Sequence, residues 1–253
     1  MANYRSLTEA TAPLLHQAAA IASNLRTGLQ IDQKRDSSLV TNVDRAIEQF
    51  LKPALLDLTP GAGFYGEEFG HTPPSDAGYW VVDPVDGTSN FAYGQPLWGI
   101  TAAYLQGGRI RSGGILLPDL GETYLATEGE GATRNGVKLP MIPPGPIQET
   151  ELLGNTDSRI RFLGQTPGKL RHIGAFVVES TFVATQRYRA LITGQISLYD
   201  CAAGILINRE LGAEVRYLDG GHFDESRHLG TDLSPGFYIG PRDSNFPFGL
   251  SSE

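Results

Sequence analysis

The stretch Trp80-Val81-Val82-Asp83-Pro84-Val85-Asp86-Gly87-Thr88-Ser89-Asn90-Phe91 reads as a strand, a turn and a helix start in immediate succession. With Tyr79 before it, the run to Val82 has the β-branched and aromatic content of a buried strand, and it ends on an acid. Asp83 at the strand end and Asp86 across a proline turn can aim two carboxylates into one space. Gly87 lets backbone N–H groups approach an anion closely, and a helix opening near Thr88 would add the partial positive charge of its N-terminus. Acid-glycine turns of this kind also occur for purely structural reasons, so the reading depends on what stands elsewhere in the chain.

Upstream, Leu14, Leu15, Ala18, Ile21, Ala22 and Leu25 recur with helical spacing and predict a helix over 8–26. A second helix is expected after Asp44, which would act as its N-cap, with Ile47, Phe50, Leu51, Ala54 and Leu55 as its apolar stripe. Downstream, strands are expected near 99–105, 110–117 and 122–127, and Asn135-Gly136 between short runs signals a type I′ hairpin. These elements predict an antiparallel meander backed by two helices. The segment 140–146 is the Pro-rich punctuation that divides the chain into halves, 1–140 and 141–253. The second half reads as alternating strand and helix: strands near 151–154, 188–193 and 213–218, a helix near 175–186, and another from Asp200 to Leu211.

The chain has 253 residues, enough for a large core, with 20 basic against 28 acidic residues and a formal charge of −8. Such a balance gains nothing from displacing counterions from a phosphate backbone, so nucleic acid is not expected as a partner. The single cysteine, Cys201, leaves no internal disulfide and fits a reducing compartment. The sequence shows no signal-peptide pattern and no apolar run long enough to span a membrane, so a cytoplasmic location is expected.

Beyond the opening stretch, the chemistry-bearing pieces are Gly66-Glu67-Glu68 and Asp200 within Tyr199-Asp200-Cys201-Ala202-Ala203-Gly204. A few carboxylates with spare water positions suit Mg²⁺, which prefers octahedral oxygen coordination. With Leu39-Val40-Thr41-Asn42-Val43-Asp44 and the 129–136 hairpin, these motifs stand in the order and spacing of the inositol-monophosphatase family, and the resemblance spans roughly residues 39–220.

The resemblance implies an α/β (α+β) fold, a layered αβαβα sandwich, and a phosphatase acting on a small phosphorylated metabolite with two or three Mg²⁺ ions, Mn²⁺ being the alternative. It assigns Glu67, Asp83 and the Val85 carbonyl to one metal, and Asp83, Asp86 and Asp200 to a second. Thr88 and Asp44 match the pair that orients and deprotonates the attacking water, with Glu67 aiding catalysis through its bound ion and water. The N–H groups of Gly87 and Thr88 would face the phosphate, and Glu68 would hold the metal ligands in place from behind. A homodimer is also implied.

Substrate choice is less determined. Thr193 stands where relatives acting on inositol phosphate carry a glutamate, and Gly174-Ala175-Phe176 replaces a Gly-Ser/Thr-Ala segment. Both sites are expected to contact substrate. Gly94, Pro96 and Trp98, together with Ile196-Ser197-Leu198-Tyr199-Asp200, look like the histidinol-phosphate branch of the superfamily. An inositol-phosphate-like sugar phosphate, histidinol phosphate and fructose 1,6-bisphosphate therefore stand as alternatives, and a silent cation-binding module is the reading from a different class. Lys34 is expected to be solvated, Arg171 to contact substrate or form a surface salt bridge, Cys201 to be packing, His172 to lie close to the pocket segment, and Glu179 to point into the pocket or pair with an arginine.

Overall fold

In the computed structural model, which describes residues 3–34, 38–156, 167–229 and 233–248, two sheets alternate with two pairs of helices. Helix α1 (Tyr4–Leu25) precedes the short antiparallel pair β1 (Ile31–Gln33) and β2 (Leu39–Thr41), and α2 (Asn42–Leu58) follows. Next come β3 (Gly63–Gly66), β4 (His71–Thr72), β5 (Tyr79–Asp86) and the single-turn α3 (Thr88–Ala92). The expected meander is present as β6 (Gly99–Gln106), β7 (Arg109–Leu117) and β8 (Glu122–Thr127). Its hairpin joins β9 (Gly131–Arg134) to β10 (Val137–Lys138) through Asn135 and Gly136, both with positive φ, as a type I′ turn requires. The later elements are β11 (Leu152–Asn155), β12 (Lys169–Arg171), α4 (Phe176–Ala184), β13 (Ala190–Thr193), α5 (Leu198–Glu210), β14 (Glu214–Tyr217) and β15 (Phe237–Gly240).

The first sheet has the order β10-β9-β8-β7-β6-β5-β3-β4, the second β12-β11-β13-β15-β14. Strand β5 explains how they stack. Its side chains alternate between two cores: Trp80 and Val82 pack with Leu15, Ala18, Ile47 and Leu51 of α1 and α2, while Tyr79 and Val81 share a cluster with α4 and α5. A strand buried on both faces reads as an unbroken apolar run, which is what the sequence shows. The cluster around α4 and α5 continues to Leu191, Phe237 and Ile239 of the second sheet. On the far face of that sheet, Ala190, Ile192 and Tyr238 are covered by Ile147 and Phe246, and no helical residue belongs to that cluster. The layered α/β architecture is therefore as expected, and four of its layers, αβαβ, are formed by the described residues.

Several local expectations are corrected. Asp44 is not the N-cap of α2; Thr41 is, and Asp44 at the third helical position completes a capping box by accepting from the Thr41 N–H. Likewise α5 starts at Leu198 under a Ser197 cap, with Asp200 again third. Helix α1 begins at Tyr4 rather than near residue 8. The second sheet is mixed: β11 is parallel to β12 and β13, while β15 enters antiparallel between β13 and β14. Among the described residues no helix is long and apolar enough to cross a membrane.

Candidate active site

The turn after β5 is built from its own side chains. Pairing of β5 with β6 slips between Asp83 and Asp86, because Pro84 has no N–H to donate. The Val85 N–H instead donates to Asp83 Oδ1 at 2.9 Å. Gly87 then reverses the chain at φ +85°, where a Cβ would also come within 2.9 Å of the Ala175 methyl, so a side chain here is disfavoured twice. Asp86 is held against the start of α4, its Oδ2 accepting from the Val177 N–H at 2.5 Å, with the Gly87 and Phe176 N–H groups also donating to it.

Asp200 reaches the same place from α5. It accepts from the Ser197 N–H at 3.2 Å and lies close enough to Asp83 for the two carboxyls to interact. Burial raises Asp83 and Asp200 well above the ordinary aspartate range, and the neighbouring carboxylates push the same way. Burial also lifts Asp86 to about 7, against the pull of its backbone donors. Among the recorded contacts of the described residues, these three aspartates meet backbone N–H groups and each other, and no arginine or lysine.

Glu67, Asp83, Val85, Asp86, Gly87, Thr88 and Asp200 form one wall of a cavity of about 390 Å³. Thr156, His172, Gly174, Phe176, Thr193, Gln195 and Ile196 form the other. Ala175 is buried and is not among the residues that line the cavity. Thr193 is buried and accepts from the Thr156 hydroxyl at 2.6 Å. His172 Nδ1 lies 2.6 Å from the Asn155 carbonyl, and since a carbonyl only accepts, that nitrogen carries the proton.

The two halves of the proposed nucleophile pair do meet. Thr88 Oγ1 lies 3.3 Å from Asp44 Oδ1 and 2.9 Å from the Val85 carbonyl. Its single proton serves one acceptor at a time. Asp44 is fully buried, its other oxygen takes the Thr41 N–H and hydroxyl, and burial raises it to about 6. One oxygen each of Asp44, Glu67 and Glu68 lies within 4.8 Å of the others.

Two residues here were misjudged or missed from sequence. Lys34, expected to be a solvated loop lysine, reaches Glu67 at 2.8 Å and Glu68 at 2.6 Å, and these two carboxylates hold its ammonium above the usual lysine range despite burial. Glu48 was not singled out at all. Its only sequence signal is an acid one turn after Asp44, within the arc of α2 that carries Ile47 and Leu51. Among the described residues Glu179 neither lines the cavity nor pairs with an arginine. It is buried, accepts from the Ile173 N–H at 2.8 Å, and is pushed by burial to about 8. Trp98 is also core, its Nε1 donating to Asp119 at 2.8 Å, and Cys201 is buried packing.

A buried, all-oxygen donor set without a basic partner for its three aspartates fits a hard divalent cation. The description of the inositol monophosphatase family matches residues 3–236. A histidinol-phosphatase of Chlorobaculum parvum is 32% identical over 203 residues, covering 74% of this chain and 75% of that protein. The Nus factor SuhB of Pseudomonas aeruginosa is 34% identical over 219 residues, covering 79% and 80% respectively. A solved structure described as an IMPase/NADP phosphatase complexed with Mg²⁺ and phosphate superposes with a TM-score of 0.82 at 25% identity, over 96% of this chain and 93% of that one.

Proposed function

The chain belongs to the inositol monophosphatase family of phosphatases, and from that premise we propose a Mg²⁺-dependent phosphomonoesterase acting on an inositol-1-phosphate-like sugar phosphate. The observation that carries the reading is the convergence of Asp83, Asp86 and Asp200 on one cavity wall, beside Glu67 and the Gly87–Thr88 turn. Glu67, Asp83 and the Val85 carbonyl would hold one cation, and Asp83, Asp86 and Asp200 a second. Bound there, Mg²⁺ or Mn²⁺ supplies charge neutralisation and Lewis-acid polarisation to a dianionic ester.

The chain's own residues supply the rest. Thr88 can accept a hydrogen bond from water while donating to Asp44 at 3.3 Å. Asp44, raised to about 6 by burial, is a carboxylate able to receive a proton near neutral pH. The N–H of Thr88 opens α3 toward the phosphate, whereas that of Gly87 is engaged by Asp86. Glu68, facing Lys34 and lying within 4.8 Å of Asp44 and Glu67, steadies the acidic wall from behind.

The opposite wall favours a polyol leaving group. Thr156, Thr193, Gln195 and His172 offer hydrogen-bonding groups and no carboxylate to balance an amine. A second reading, histidinol phosphate, draws on the Phe176 ring in that wall and on the similarity to a histidinol-phosphatase. The proposal includes a homodimer, from the family resemblance, and a cytoplasmic location, from the lone buried thiol of Cys201.

Phosphate release with and without Mg²⁺, over inositol 1-phosphate, fructose 1,6-bisphosphate and histidinol phosphate, tests it. Asp86→Asn should abolish turnover with an unchanged circular dichroism spectrum. Retention of most of the wild-type rate would overturn the assignment of Asp86.

A further inference from the structure

Glu48 does not line the cavity, yet its carboxylate is fully buried on α2, one turn beyond Asp44. Its two oxygens are both committed to the turn that follows β3: Oε2 accepts from the Glu68 N–H at 2.7 Å, and Oε1 from the Phe69 N–H at 2.9 Å. Glu67 stands between the last residue of β3, Gly66, and this clasped pair. A Cβ on Gly66 would overlap the Glu48 carboxylate, so the acid lies flat against the end of the strand. The direction of the Glu67 side chain is therefore set on one side by the sheet and on the other by Glu48.

The same helix face does a parallel job four residues earlier, where Asp44 receives the Thr88 hydroxyl from the turn after β5. Helix α2 thus touches both acidic turns through consecutive buried carboxylates. An ordinary helix of the core would place apolar residues at both positions, as it does at Val43, Ile47 and Leu51. Burying a carboxylate is costly unless its hydrogen bonds are satisfied, and among the described residues they are satisfied by the turn that carries Glu67.

We propose that Glu48 is a positioning residue for the cation site: by clasping the Glu68 and Phe69 N–H groups it fixes Glu67 toward the cavity, and with Asp44 it makes α2 the common brace of both acidic turns. This rests on the reading that Glu67 holds a divalent cation. Partners behind metal ligands typically contribute about 10- to 100-fold in affinity or activity. Glu48→Gln keeps the volume but turns an amide NH₂ toward one of the two N–H donors, breaking one arm of the clasp.

The test is isothermal titration calorimetry of Mg²⁺ into the full chain, for wild type, Glu48→Gln and, as reference, Glu67→Gln. Folding is checked by circular dichroism and thermal melting. The expected result is a folded Glu48→Gln protein whose Mg²⁺ dissociation constant rises by about 10- to 100-fold, with turnover recovered at high Mg²⁺. A merely structural acid would lower the melting temperature and leave Mg²⁺ affinity where it was. A folded Glu48→Gln protein with wild-type affinity, alongside a weakened Glu67→Gln, overturns the proposal. Wild-type affinity in Glu67→Gln would instead overturn the ligand assignment on which it rests. If Glu48→Gln does not fold, Gly66→Ala displaces the same carboxylate, and unchanged Mg²⁺ affinity in that variant overturns the clasp.

Discussion

Stripped of divalent cations, the protein should be more stable at pH 5 than at pH 8. Asp86 is raised by burial from 3.8 to about 7, and Asp44 from 3.8 to about 6. A carboxyl whose folded pKa is raised binds more protons folded than unfolded, so between the two values stability falls as pH rises. Integrated from pH 5 to pH 8, Asp86 contributes roughly 3 kcal/mol, Asp44 about 1 kcal/mol and Glu179, raised by burial from 4.5 to about 8, roughly 3.5 kcal/mol, all lost on the alkaline side. Asp83 and Asp200, raised for the same reason, act in the same direction. Asp119 and Glu122, held below their ordinary values by Arg26 and Arg187, are ionised in both states over nearly all of this window and add little slope. For a chain of this size each kcal/mol moves the melting temperature by about 2–4 °C, so the difference should be about 15–30 °C. Thermal melts in chelator at pH 5 and pH 8 measure it. Saturating Mg²⁺ should remove the part of the slope due to Asp83, Asp86 and Asp200, since a held carboxylate stays ionised, and leave the part due to Glu179, which lies outside the cavity. A metal-free melting temperature that is flat or rises between pH 5 and pH 8 would refute the reasoning.

Thr193→Val removes the hydroxyl that accepts from Thr156 while keeping the shape of the cavity wall. It should raise KM for the preferred ester about 3- to 10-fold with little change in kcat, as loss of roughly one hydrogen bond predicts, and steady-state kinetics decide. Lys34→Met removes the ammonium that Glu67 and Glu68 now share, so Mg²⁺ should bind several-fold more tightly by calorimetry. Weaker binding would mean that Lys34 orders the glutamates rather than competing for them.

The fold was legible where burial leaves a period in the sequence. The strands β5 to β8 and the helices α1, α2, α4 and α5 were all expected close to where they lie, because each buries an apolar stripe or a continuous apolar run. What escaped was short or non-local. Strands β1 and β12 have three residues each with little burial, so their pairing is set by neighbours rather than by pattern. Strand β15 was hidden because nothing in Phe237-Tyr238-Ile239-Gly240 announces that it will be placed antiparallel between β13 and β14. The far face of the second sheet is covered in part by Phe246, from a tail whose composition gave no signal.

The candidate site was legible in part wherever a candidate acid is also a local structural acid, and this explains why the cap expectations were close but displaced. Asp44 and Asp200 both occupy the third position of a helix and both complete a capping box. A carboxylate in that role commits one oxygen to the helix: Asp44 Oδ2 to Thr41, and Asp200 Oδ2 to the Ser197 N–H. The other side of the group remains available, toward Thr88 for Asp44 and toward Asp83 for Asp200. Capping a helix and serving the candidate site are therefore compatible, because the cap fixes the carboxylate's direction and the helix N-terminus eases the placing of a negative charge there. Asp86 uses α4 in the same way, taking its Val177 N–H without belonging to that helix, and so no local pattern could have revealed the contact. Lys34 and Glu48 fall at the far end of this scale. Their roles depend on the turn after β3, reached by an ion pair in one case and by two backbone N–H groups in the other. Backbone donors carry no residue identity, so a side chain that acts through them leaves its partner unmarked in the sequence, and only the assembled geometry exposes it.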